Sequence, residues 1–346
     1  MIALIDKLHE KMQSAASLRE KAERLYEQGL VQEALAVLTR LNRRQPDIDI
    51  EQRLVQMRHQ GFFRLKHSST LQSWPRTLAS SPYPAGEIPS IPRALLTPQA
   101  MVDGIIGHGS LIVRNLLSPE DCRALIRAVD ASIEAYDARP ESDPAWFTPL
   151  QPCEENGEQK VARGWIRQGG GALAADSPRG LFQLLEVLGE AGVITLLADY
   201  LGERPALSVK KTTLRRVQPD TSSGWHQDGA FLGSNIRTVN LWIALTDCGV
   251  DAPSMDMVPV RLPAIVTTGT GKADFSWSLD DEAVLNAAGE APPVRLQFKA
   301  GDAIFFDELN LHRTAASPGM TQTRYAIEAW FFAPSHYPLN QLPILA

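Results

Sequence analysis

Residues 238–246, Thr-Val-Asn-Leu-Trp-Ile-Ala-Leu-Thr, constrain the fold more than any other stretch of the chain. Asn240, Trp242 and Ala244 fall on one parity and Val239, Leu241, Ile243 and Leu245 on the other. Side chains alternate between the faces of a strand, so this pattern puts one face on an apolar core and turns the other toward a cavity. Residues 207–217, 303–306 and 325–332 have the same strand-like composition. With 346 residues, 44% of them hydrophobic, the chain can close such strands around a full core, as one large domain or two.

The chemistry is concentrated just before the alternating run. Residues 225–229 read Trp-His-Gln-Asp-Gly, and on a strand His226 and Asp228, two positions apart, point to the same face and can grip one ion. His312, just after the strand-like run 303–306, offers a third ligand, and two histidines with one carboxylate make the facial triad of non-haem Fe(II) oxygenases. A His-x-Asp pair alone is common on surfaces and in cores. Here Arg324 stands 12 residues beyond His312 at the start of another strand-like run, where its fork can bind a carboxylate through two hydrogen bonds.

With these residues, the run 109–122 (Gly-Ser-Leu-Ile-Val-Arg-Asn-Leu-Leu-Ser-Pro-Glu-Asp-Cys) and Leu-Trp-Ile-Ala-Leu at 241–245, the stretch from about residue 112 to 332 resembles the phytanoyl-CoA dioxygenase family of Fe(II)- and 2-oxoglutarate-dependent oxygenases. The resemblance implies a mainly β fold with flanking helices, a double-stranded β-helix (jelly roll, cupin-like). It implies Fe(II) held by His226, Asp228 and His312, with 2-oxoglutarate and O2 as co-substrates. Arg324 would bind the distal carboxylate of 2-oxoglutarate, helped by Thr314 and Thr213, and Trp242 would wall its pocket. The expected reaction is oxidation of a C–H bond of a small-molecule metabolite, with release of succinate and CO2. Retention of Asp228 favours hydroxylation, desaturation or ring closure over halogenation, in which a small residue replaces the carboxylate. The chain departs from the family at residues 252–262, where the usual glycine and histidine of the turn are missing, so the substrate is not implied. Two other readings remain: a cupin-like metalloenzyme using the same triad without 2-oxoglutarate, and a non-catalytic binding protein working through its N-terminal helices. Should Arg324 not hold the carboxylate, Arg313 and Lys211 are the alternatives.

The rest of the sequence frames this site. Residues 1–60 read as a helical hairpin, with Leu18, Ala22, Leu25 and Tyr26 on one face, Ala34, Leu35, Leu38 and Leu41 on the next, and Gly29 between them. The pattern resembles a single tetratricopeptide unit, and since one unit cannot bury its own face, these helices should pack on the catalytic domain or on a second copy of the chain. Residues 61–100, rich in proline and serine, read as a linker, and residues 101–346 as the jelly-roll domain. Ser118-Pro-Glu-Asp121 carries an N-cap, a proline at the first helical position and an acidic first turn. The glycine-rich stretch 136–175 is a solvated loop or a substrate contact, and residues 267–293 are an insertion, either a lid or plain surface.

A net charge of −6 argues against a nucleic-acid partner. The charged start, Met-Ile-Ala-Leu-Ile-Asp-Lys, has neither a signal peptide's apolar stretch nor a membrane span. Three cysteines without CxxC spacing fit reduced thiols in the cytoplasm. A small-molecule substrate is the expected partner.

Overall fold

The computed structural model describes residues 14–346 except Ser234 and Asp274. Residues 1–13, including the charged start, lie outside the described part. The strands are β1 (Ser90–Pro92), β2 (Ser110–Arg114), β3 (Gly171–Leu173), β4 (Ala206–Ser208), β5 (Thr213–Val217), β6 (Thr238–Ala244), β7 (Ser254–Met257), β8 (Val294–Arg295), β9 (Ala303–Phe306), β10 (His312–Ala315), β11 (Arg324–Phe332) and β12 (Pro343–Leu345). Among the described residues they form a nine-stranded sheet and a three-stranded one, in the order β10-β7-β8. The large sheet runs β1-β2-β9-β6-β11-β4-β12, with β5 also paired to β11 and β3 to β5. This is a double-stranded β-helix with flanking helices, cupin-like in layout.

The alternation in β6 sorts its side chains onto two faces as expected, but both faces meet apolar clusters, where the pattern reads one of them as turned toward a cavity. Val239, Leu241 and Ile243 enter one apolar cluster together with Ile327, Ala329 and Phe331 of β11, while Trp242 and Ala244 enter a second with Ala326, Trp330 and Phe332. The first cluster is covered from outside by α-helices over Pro119–Asp137, Pro178–Glu190 and Val193–Leu201. Burial of each large apolar side chain stabilises by roughly 1.5–3 kcal/mol, so the two faces of one sheet organise most of the core. The first of these helices starts as its sequence indicates: Ser118 accepts from the Asp121 amide, the Asp121 carboxylate accepts from the Ser118 amide, and Pro119 opens the first turn.

The N-terminal region holds three helices where the apolar spacing reads two: α1 (Ala15–Glu27), α2 (Val31–Arg44) and α3 (Ile48–Phe62). Gly29 turns the chain between α1 and α2 with a positive φ of 80°. The face that α3 buries includes Glu51, Arg58 and His59, and these polar residues interrupt the apolar periodicity. Apolar residues of all three helices share a cluster with Trp330 and Phe332 of β11. Arg58 Nη1 donates to Leu345 O at 2.7 Å and His59 Nδ1 to Pro343 O at 2.8 Å, fastening α3 to β12. The proline-rich segment contains β1, which pairs in parallel with β2. No single helix among the described residues is long and apolar enough to cross a membrane.

Candidate metal centre

His226 and Asp228 lie just before the turn Gly229–Leu232, and His312 opens β10. The two segments are locked in register by paired backbone hydrogen bonds, His226 N to His312 O and His312 N to His226 O, both at 3.0 Å. One ligand atom from each of His226, Asp228 and His312 can be chosen so that all lie within 4.8 Å of one another. The imidazole centroids are 4.5 Å apart, and His312 Nε2 is 3.7 Å from Asp228 Oδ2.

The hydrogen bonds around these groups leave the inward atoms free. His226 Nδ1 donates to Gly224 O at 2.9 Å and His312 Nδ1 to Asn310 O at 3.1 Å. A carbonyl only accepts, so Nδ1 of each ring carries a proton and Nε2 is the atom left to face the centre. Asp228 Oδ1 accepts from Lys211 Nζ at 2.9 Å, whereas Asp228 Oδ2 is buried without a partner. Burial pushes the His226 imidazolium down to about 4, helped by His312. Burial alone would raise the Asp228 carboxyl, but Lys211 and the two imidazoles outweigh it and hold the acid well below its usual range. Two imidazoles with Nδ1 already engaged and an ionised carboxylate with an unused oxygen are the donor set of a divalent transition metal.

On the face of the large sheet that carries Trp242 stands Arg324, fully buried. Its Nη1 donates to Ser254 O at 3.3 Å, its guanidinium lies 5.4 Å from the Trp242 ring centroid, and its Nε has no partner. Burial pushes its ionisation down to about 10. A buried cation with an unused donor beside an aromatic wall is a seat for a carboxylate. Thr314 shares the face of His312 on β10, two residues on. Thr213 sits opposite Glu328 in the β5–β11 register, and its hydroxyl is bonded to the Glu328 carboxylate at 3.2 Å rather than to Arg324. Glu328 also receives Arg215 at 3.0 Å. Arg313 points away from the centre, over the Trp225 ring and onto Asp256 at 3.0 Å.

Three neighbours of the centre were not legible as such. The sequence offers Lys211 only as a spare basic residue, although it stands two positions before Thr213, the spacing that shares a strand face. Phe231 and Trp277 flank His226, with ring centroids 6.2 and 5.7 Å away. Trp277 belongs to the insertion, which is tied to the metal segment by Leu279 N donating to Trp225 O at 2.9 Å. No sequence signal links these two rings, because 46 residues separate them.

No curated protein matches the chain. Among solved structures it is similar to EctD from S. alaskensis with 2-oxoglutarate and 5-hydroxyectoine, at 14% identity and TM-score 0.49, covering 78% of this chain and 87% of that one. It is also similar to the non-heme alpha ketoglutarate dependent carbocyclase SnoK from nogalamycin biosynthesis, at 17% identity and TM-score 0.46, covering 69% and 85% of the two chains. At these scores the likenesses carry no argument about reaction or substrate. The family model described as phytanoyl-CoA dioxygenase (PhyH) matches residues 107–321, more than half of the chain and all three candidate ligands, with Arg324 just beyond its end. The chain therefore belongs to the phytanoyl-CoA dioxygenase family, whose members depend on Fe(II) and 2-oxoglutarate.

Proposed function

We propose that the protein is an Fe(II)- and 2-oxoglutarate-dependent dioxygenase that hydroxylates, or otherwise oxidises, an unactivated C–H bond of a small-molecule metabolite in the cytoplasm. The observation that carries this reading is the coincidence of unused buried atoms: Asp228 Oδ2, beside two imidazoles whose Nδ1 atoms are bound to carbonyls, and Arg324 Nε, beside the Trp242 ring, both lack partners. Leaving a buried polar group unpaired costs about 1–3 kcal/mol, more when it is charged, so two unpaired charged groups argue for ligands that complete them.

In this reading His226 Nε2, Asp228 Oδ2 and His312 Nε2 hold the metal, and Arg324 holds the distal carboxylate of 2-oxoglutarate. Bound iron supplies the redox chemistry that couples oxidative decarboxylation of the 2-oxo acid to oxidation of the substrate, giving succinate and CO2. The protein's part is placement. Carbonyl groups fix both imidazole rings, and Lys211 holds Asp228 Oδ1 so that the carboxylate presents its other oxygen. Trp242 closes the wall beside Arg324, and the Arg215–Glu328–Thr213 cluster fixes the floor. The apolar side chains around these groups exclude water.

Anaerobic protein with Fe(II) and 2-oxoglutarate should develop a weak visible charge-transfer band, and admission of air should yield succinate even without substrate. Stoichiometric Fe(II) binding with neither band nor succinate would sink the proposal in favour of a cupin-like enzyme that uses the triad alone.

A further inference from the structure

The open side of the centre has an aromatic face. The Phe231 and Trp277 rings stand 6.1 Å apart, both beside His226, and Phe275 stacks on Trp277 at 4.9 Å with an interplanar angle of 4°. Phe275 is 51% exposed although stacked. Its backbone amide donates to Ser278 Oγ at 3.1 Å, so the two rings are held on an ordered turn. Asp280 caps the helix Asp281–Ala288 that follows, and the turn is pinned to Trp225 next to the ligand His226. An exposed aromatic pair fixed beside a metal centre is a surface for another ring.

The second observation is charge. Around the centre, among the described residues, Lys211 is paired with Asp228 and Arg215 with Glu328, while the buried Arg324 has no carboxylate partner. A divalent ion and a dianionic 2-oxo acid cancel, so one positive charge stays uncompensated. Arg215 is bound to Glu328, and Arg324 is the seat of the co-substrate. Lys211 remains: one of its three N–H donors goes to Asp228, its side chain is 23% exposed, and its Nζ lies 5.1 Å from the Phe231 centroid. The cation thus lies over the Phe231 ring, one of the aromatic group.

We propose that the substrate is an organic anion with a flat unsaturated ring, the ring lying on Phe231, Trp277 and Phe275 and its acidic group held by Lys211. This inference names the substrate class of the centre and rests on the metal-dependent reading above.

Ligand-observed NMR titration of the full chain, loaded with Zn(II) or Mn(II) and saturated with N-oxalylglycine to fill the Arg324 seat, tests it. The probes are phenylacetate, its neutral analogue 2-phenylethanol and its cationic analogue 2-phenylethylamine. Phenylacetate should bind about tenfold or more tighter than the alcohol, the scale of one charge-assisted hydrogen bond, and its ring protons should broaden with Mn(II) but not with Zn(II). The amine should bind more weakly than either. Because Lys211 also holds Asp228, Lys211→Met is compared at equal Mn(II) and N-oxalylglycine occupancy, where it should abolish the acid's preference over the alcohol. Trp277→Ala should weaken both by roughly two- to tenfold, as loss of an aromatic contact does. No phenylacetate binding, equal or tighter binding of alcohol or amine, binding without Mn(II) broadening, or an unaltered acid preference in Lys211→Met would each overturn the inference. Mn(II) and N-oxalylglycine uptake, followed separately in the same samples, distinguishes that outcome from failure of the dioxygenase reading, in which they would not bind.

Discussion

Arginine and histidine are buried together in two places in this protein, and their surroundings differ in one respect. At the seam between α3 and β12, Arg58 donates to Leu345 O, and His59 uses both nitrogens, donating from Nδ1 to Pro343 O and accepting at Nε2 from the Cys153 amide at 3.1 Å. Around the centre, Arg324 keeps an unpaired Nε, and His226 and His312 use only Nδ1. Burial pushes both Arg58 and Arg324 down to about 10, so burial and perturbed ionisation do not separate them. What separates them is hydrogen-bond completion. The first site is a fastening, finished by the chain itself; the second is finished only by ligands.

The comparison breaks most sharply on metal binding. His312→Ala should lower affinity for Fe(II), or for Mn(II) as a spectroscopic substitute, by more than about 100-fold, beyond the range typical of outer-shell changes, and leave the metal-free thermal unfolding nearly unchanged. His59→Ala should do the reverse. Anaerobic metal titrations beside melting curves decide, and normal metal binding by His312→Ala would erase the distinction between the two sites.

The arginine pair comes next. Arg324→Ala should weaken 2-oxoglutarate by about two orders of magnitude, since truncating one partner of a buried charged pair costs roughly 3–5 kcal/mol, and should spare metal affinity. Arg324→Lys should fall between, having the charge without the fork. Arg58→Ala should instead lower unfolding stability by roughly 2–4 kcal/mol, through a cavity and an unpaired carbonyl, with 2-oxoglutarate affinity intact. Calorimetric titration and urea unfolding of the same variants read out both effects.

The smallest effect is a pH dependence at the seam. Burial lowers the His59 imidazolium below its ordinary value, outweighing the Pro343 carbonyl that favours the charged form. A histidine with a depressed folded value stabilises the fold above its unfolded value of about 6.5, and that contribution is lost as pH falls from there through the folded value. His59→Gln should therefore flatten the fall in stability below about pH 6.5, measured on metal-free protein; an unchanged slope would mean that His59 carries none of it.

Much of this architecture is written in local pattern. The alternation at residues 238–246 sorts its side chains onto the two faces the sheet displays, and Ser118 with Asp121 starts its helix as a capping box. The His-x-Asp spacing likewise puts two ligand types on one short segment. Helix α3 was harder to read, because its buried face includes Glu51, Arg58 and His59, which a polarity pattern assigns to solvent. Their burial is tolerable only because Arg179, Leu345, Pro343 and Cys153, all distant in sequence, complete their hydrogen bonds.

The sequence by itself determined the strand faces, the helix start and the residue types able to hold a metal and a carboxylate, because these follow from side-chain periodicity and from the donors each residue carries. Only the tertiary structure decided which of those donors stay unused. Thr213 was open to either partner until β5 paired with β11 and set it against Glu328, and Arg313 faced away once β10 paired with β7 and set it against Asp256. Lys211 found Asp228, and Trp277 found His226, across chain separations that no local pattern spans. A hydrogen bond is a property of two atoms in space, so the unpaired atoms that mark this centre exist only after every other pair in the fold has been made.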